Sequence, residues 1–146
     1  MSYLLREFAK YKETHILSGI ALLVDDKICL VLPKKFKSQL KYSIPKGHIV
    51  EGFSSFYNAY LELREETGID IGLREYDNQF SIWYRKNGVK KNLTVFVIKM
   101  TLDEFKQLKI GKRDKKEIHK VKFVDKKKAL KLVESYFKKI IRHVYK

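Results

Sequence analysis

The chain has 146 residues, enough for one folded domain of ordinary size and too few for two of typical length. Hydrophobic residues make up 45% and charged residues 34%, with nine Tyr and nine Phe, which excludes the weakly hydrophobic composition of a disordered chain. Lysine and arginine number 32 against 17 acidic residues, a formal charge of +15 that attracts anionic partners, although a lysine-rich surface also serves solubility alone.

Residues 1–14 mix Tyr3, Leu4, Leu5, Phe8 and Tyr11 with charges at near-helical spacing, which predicts a short helix or an irregular extension. Charges at Arg6, Glu7, Lys10, Lys12 and Glu13 stand where a secretory signal carries its apolar region, so a cytoplasmic location is expected. Ile16–Val24 and Lys27–Leu32 are apolar, partly β-branched runs around Asp25-Asp26 and predict a β-hairpin. The first run is the longest apolar stretch and falls well short of the ~20 residues that span a bilayer, so no membrane association is expected. Cys29 is the only cysteine, which rules out an intramolecular disulfide and suits a reducing compartment. Residues 33–47, punctuated by Pro33 and Pro45, predict a long loop.

Ser54 and Ser55 can cap a helix running to Thr67, with Gly68 as its stop. On that helix Phe56, Ala59, Tyr60 and Leu63 form an apolar face, while Glu62, Glu65 and Glu66 gather on another. Phe80–Tyr84 and Leu93–Ile98 flank Asn87-Gly88, a strong hairpin signal. Residues 102–116 predict a loop with one helical turn, and Val121–Val124 a last strand. Asp125 then caps one C-terminal helix with Ala129, Leu130, Val133, Tyr136, Phe137, Ile140, Ile141 and Val144 at the 3.6 period. Hairpin, helix, hairpin, strand and helix predict an α/β fold: an α/β/α sandwich around a mixed sheet, in a single domain over 1–146 with 1–14 as an extension.

Chemistry concentrates in Gly47-His48-Ile49-Val50-Glu51-Gly52 and Glu62-Leu63-Arg64-Glu65-Glu66-Thr67-Gly68-Ile69. Carboxylates at i, i+3 and i+4 on one helical face repel one another unless cations lie among them. Oxygen donors of this kind suit Mg²⁺ or Mn²⁺. The alternative is an ordinary solvated acidic face.

The segment resembles the Nudix hydrolase signature, G-x5-E-x7-R-E-U-x-E-E-x-G-U, where U is a bulky aliphatic residue. Anchored on Gly47, it matches at Glu62, Leu63, Glu65, Glu66, Gly68 and Ile69. It departs at two positions: Phe53 stands for the first glutamate and Leu61 for the arginine. In the family these two side chains pair, so their joint replacement implies a Phe53–Leu61 contact in place of an ion pair. Glu51, two residues upstream, is a partial substitute for the missing carboxylate or a surface residue. Pro45-Lys46-Gly47-His48 is similar to the diadenosine polyphosphate and RNA 5′-end branches of the family.

The resemblance implies that Glu65 and Glu66 are metal ligands. Glu62 is a ligand or the base that takes a proton from water, with Glu117 as the rival base; this choice stays open. Glu117 begins EIHKVKF, similar to the family's E-H-x-x-x-x-W segment, which implies a fourth metal-site carboxylate. Tyr84 and Lys91 occupy positions similar to phosphate-contacting residues of diadenosine tetraphosphate hydrolases, and Lys46, next to Gly47, is a further phosphate-binding candidate. Trp83 offers a ring for base stacking, although one of Trp83 and Tyr84 is expected to be core because neighbours on a strand face opposite sides. His48 and His119 show no metal-ligand spacing with Cys29 and read as loop residues.

The function implied is a pyrophosphohydrolase using Mg²⁺ or Mn²⁺, with a dinucleoside polyphosphate, a nucleoside triphosphate or an RNA 5′ end as substrate. Departures at Phe53 and Leu61 motivate an alternative, a non-catalytic Nudix-fold module binding RNA or nucleotide. Diphosphoinositol polyphosphates suit the charge but have no motif of their own here.

Overall fold

The computed structural model describes residues 14–114 and 116–146, so the expected N-terminal helix or extension lies outside the described residues apart from Thr14. Strand β1 (Thr14–Val24) alternates in the sense that Leu17, Ala21 and Leu23 enter one core cluster while Ile20, Leu22 and Val24 enter another. A strand apolar on both faces belongs inside a sheet covered on both sides. The main sheet has the order β5-β6-β1-β2-β8, built from β2 (Lys27–Pro33), β5 (Asn78–Lys86), β6 (Val89–Met100) and β8 (Ile118–Val124). A short sixth strand, β3 (Lys46–His48), pairs with β1. β1 and β6 run parallel and every other pairing is antiparallel, so the sheet is mixed.

Helix α1 (Ser55–Thr67) covers one face with Ala59, Tyr60 and Leu63. The Ser54 hydroxyl accepts the Tyr57 N–H at 3.1 Å, and Gly68 closes the helix at φ 80°, its N–H donating to the Arg64 carbonyl. Asn87 at φ 51° and Gly88 at φ 77° make the tight β5–β6 turn that left-handed residues favour. Residues 102–116 hold helix α2 (Leu102–Lys106), with Thr101 and Glu104 as a capping box, and β7 (Lys109–Ile110), which pairs with β4 (Ile69–Asp70).

Two expectations are corrected. The C-terminal segment is not one helix: α3 (Lys126–Leu132) stops at Val133, whose ψ of 154° is extended, and a 3₁₀ turn (Ser135–Phe137) leads into α4 (Lys138–Val144). The Tyr42 N–H donates to the Leu132 carbonyl at 3.0 Å, capturing an acceptor at the helix end from outside the segment. Its apolar pattern still serves burial, since Ala129, Val133, Phe137, Ile140, Ile141 and Val144 all join the core on the sheet face opposite α1. Residues 33–47 are also more ordered than a loop. After a 3₁₀ turn (Lys34–Gln39), Tyr42 and Ile44 are buried, and Ser43 pairs with Val31. No helix among the described residues is long and apolar enough to cross a membrane.

Candidate functional site

A cavity of about 760 Å³ opens where β3 meets the sheet, and it brings together Lys46, Glu62, Glu66, Tyr84, Lys91 and Glu117. Local geometry explains how α1 reaches it. A Cβ on Gly47 would stand 2.3 Å from the Glu62 carboxyl carbon, so only glycine lets that carboxylate lie against β3. One residue earlier, the Lys46 N–H donates to Oε2 of Glu66 at 3.1 Å. Asn58 fixes the same junction from below, accepting the Val50 N–H at 3.0 Å and donating to the Ser18 hydroxyl at 3.1 Å.

Glu66 is buried, and burial holds its carboxyl well above the usual range, with Glu62 adding to the rise and Lys46 opposing it. Glu62 is raised mainly by burial, while the charges of Glu65 and Glu117 push the same way. Two carboxylates in contact in a poorly solvated position require a proton or a cation between them. The donors are hard oxygens, which fit a hard divalent ion. Glu62 and Glu66 would hold it. Glu65 is exposed and lines a neighbouring hollow with Leu61, Arg64 and Lys112, so the structure does not bring it into the cavity wall. Among the described residues no group of three His, Cys, Asp or Glu side chains is already placed to hold a metal ion.

Glu117 reaches the cavity because its segment is tied at both ends. The Asp114 N–H donates to the Glu65 carbonyl at 2.8 Å, and the Glu117 carbonyl accepts the Lys34 N–H at 2.7 Å. On the opposite wall, Tyr84 and Lys91 are direct cross-strand partners, and Lys91 in turn lies opposite His15 on β1. Tyr84 is largely buried, stacked on Tyr136 at 4.8 Å with Phe137 at its edge, and burial raises its hydroxyl to about 12. Trp83 points to the other side of the sheet and is exposed, so Tyr84 is the core member of that pair. Lys46 is pushed down to about 8 by burial, with Glu66 pulling it up and Lys86, Lys91 and Lys35 pressing it lower.

The sequence reading missed His15, Lys35, Lys86 and Glu134 in the wall. His15 Nδ1 lies 2.9 Å from His48 Nε2, which makes His48 part of a rim pair. Strand alternation would have found His15 from Leu17 and Lys86 from Tyr84, whereas nothing in its sequence marks Lys35 among neighbouring lysines. His119 lies on β8, where its carbonyl accepts from Arg113 at 3.2 Å, and it does not line the cavity. Glu51 is exposed. The Phe53 ring meets Tyr57 edge-on at 5.1 Å, and Leu61 packs on the α1-side core.

Residues 14–144 match the family model of the NUDIX domain. No curated protein matches the chain. Among solved structures, the fold is similar to Ap4A hydrolase from C. elegans, with a TM-score of 0.69 at 17% identity, covering 88% of this chain and 93% of that one. It is similar to a NUDIX hydrolase from Nitrosomonas europaea, with a TM-score of 0.68 at 17% identity over 90% and 88% of the two chains. A MutT protein from Methanosarcina mazei Go1 gives a TM-score of 0.68 at 16% identity over 90% and 93%.

Proposed function

The chain belongs to the Nudix family, and from this premise we propose that it is a pyrophosphohydrolase that cleaves a pyrophosphate bond in a nucleoside polyphosphate with Mg²⁺ or Mn²⁺ bound at Glu62 and Glu66. The observation that carries this reading is the contact of these two carboxylates against Gly47 and Lys46 in a cavity that several lysines, Lys35, Lys86 and Lys91 among them, also line. A divalent ion there would polarise a phosphoryl oxygen and lower the pKa of bound water. Glu117, which lines the same cavity, would complete the acidic shell, and Glu65 would act on it through its charge from the neighbouring hollow. Glu62 or Glu117 would take the proton from the attacking water, since both line the same cavity. Lys46 and Lys91 would neutralise non-bridging oxygens, and Tyr84 would shape the wall beside them.

Dinucleoside polyphosphates, nucleoside triphosphates and RNA 5′ ends all carry the required bond. A phosphate-release panel over these compounds with each metal tests the reading, and no hydrolysis of any member would overturn it. One observation favours a second reading, a binding module without turnover. Phe53 occupies the position of the glutamate that the Nudix signature places there.

A further inference from the structure

Trp83 is the only tryptophan of the chain, and it stands on the sheet face that the cavity does not use. Tyr84 and Lys91 turn toward the cavity, whereas Trp83 and its cross-strand partner Asn92 turn away from it. Ile16 on β1 lies opposite Asn92, so the row Ile16, Asn92, Trp83 crosses three neighbouring strands. Helix α1 reaches this face at Ser18, whose hydroxyl accepts from Asn58 at 3.1 Å. The next row toward the β5–β6 turn is open, with Ile16 49% and Trp83 53% exposed.

Cations stand on the turn side of the ring and hydroxyls on the other. Lys90, which pairs with Arg85 one row nearer the turn, holds its ammonium 4.6 Å from the centre of the Trp83 ring. The Arg85 guanidinium is held at the turn, where it donates to the Gly88 carbonyl at 3.1 Å. One row the other way stand Ser81 and Thr94, short side chains whose hydroxyls meet at 3.1 Å and leave room beside the ring. Among the described residues these three rows hold no carboxylate. An open ring beside two cations is complementary to a base flanked by phosphates. Hydroxyl and amide groups next to it suit a ribose 2′-hydroxyl, which both donates and accepts. The apolar part of the face is two side chains with Asn92 between them, too little for the hydrophobic centre of a stable protein interface.

We propose that this face, on the back of the β5–β6 hairpin, is a docking surface for single-stranded RNA, with one base stacked on Trp83 and the flanking phosphates held by Lys90 and Arg85. The hairpin itself separates this surface from the carboxylate cavity. It is therefore a second site, and it stands whether or not the cavity hydrolyses a nucleotide.

The test is binding of an unstructured, mixed-sequence RNA of about 12 nucleotides to the full chain in excess chelator. Its 5′ end is a hydroxyl, so it offers the cavity no pyrophosphate. Stacking should quench the emission of Trp83, which as the single tryptophan reports on this face alone and needs no variant. With labelled RNA followed by fluorescence anisotropy, Trp83→Ala should weaken binding about tenfold and Trp83→Phe, which keeps a ring, clearly less. Lys90→Ala/Arg85→Ala should weaken it about tenfold, and Lys127→Ala/Lys128→Ala, which removes the same charge from exposed positions on α3, less than about twofold. DNA of the same sequence should bind at least about threefold more weakly. Trp83, Lys90 and Arg85 are all exposed, so these variants should keep the circular dichroism of the wild type. The proposal is overturned by an unquenched Trp83 at saturating RNA, by wild-type affinity in Trp83→Ala, by equal effects of the two double variants, or by DNA binding as tightly as RNA. A wild-type dimer that Trp83→Ala dissolves would also overturn it, because a second copy would then be what covers the row. Turnover of nucleoside triphosphate is read separately: its absence would remove the hydrolase and leave this surface, while turnover with RNA binding that ignores Trp83 would do the reverse.

Discussion

The Lys46 N–H and Oε2 of Glu66 are 3.1 Å apart, which joins β3 to α1 through a backbone donor and a buried carboxylate. Gln at position 66 keeps an oxygen for that donor and removes the charge that burial disfavours. Glu66→Gln should therefore retain or raise the melting temperature of the metal-free protein, measured by circular dichroism. A large fall would mean that the ionised carboxylate is a net stabilising group in the fold.

Gly47→Ala places a methyl carbon where the Glu62 carboxyl now lies. The colliding group is the far end of a flexible side chain, so the fold should tolerate the change with a loss of about 1 kcal/mol or less. Turnover should drop by about 10-fold or more, because Glu62 must leave its position. Wild-type turnover in a folded variant would show that Glu62 acts from elsewhere.

Phe53 touches Tyr57, and Tyr57 in turn stacks on Tyr60 at 6.0 Å. A double-mutant cycle of Phe53→Ala with Leu61→Ala should be additive within about 0.5 kcal/mol. The Phe53–Tyr57 cycle should show a coupling of about 0.5 kcal/mol, at the low end for aromatic pairs because both rings are exposed. Stronger coupling in the first cycle than in the second would restore the pairing implied by the sequence.

His48 is held below its ordinary 6.5 by burial, and by the charges of His15, Lys91, Lys46 and Lys35 facing it. The unfolded chain therefore takes up this proton at higher pH than the folded one, and stability falls as pH drops below about 6.5. Chemical denaturation at pH 7.5 and pH 5.5 should show a larger loss for the wild type than for His48→Gln. Equal losses would assign the acid sensitivity to other groups.

Much of this was legible because it is local. Ser54, Gly68 and Asn87-Gly88 have capping and turn chemistry that works within a few residues, and the structure uses each of them so. The break after Leu132 was not legible, because it depends on Tyr42, which is about ninety positions away in the chain. The carboxylates of the candidate site were visible through helical spacing and the Nudix resemblance. Lys46 and Lys91 were visible through the same resemblance, whereas Lys35 and Lys86 were not, since among 32 basic residues neither is conspicuous until the fold brings it to the cavity.

Whether Glu62 and Glu66 form a metal-dependent pyrophosphohydrolase centre is decided by the turnover of a nucleoside triphosphate and a dinucleoside polyphosphate by wild type and Glu66→Gln. Each is assayed with Mg²⁺, with Mn²⁺ and in excess chelator. Wild type should hydrolyse both with metal and neither above background in chelator, and the variant should lose roughly 10²–10³-fold, the scale seen when a group stabilising transition-state charge is removed. Hydrolysis that survives chelation, or a folded Glu66→Gln protein that turns over like wild type, would contradict it.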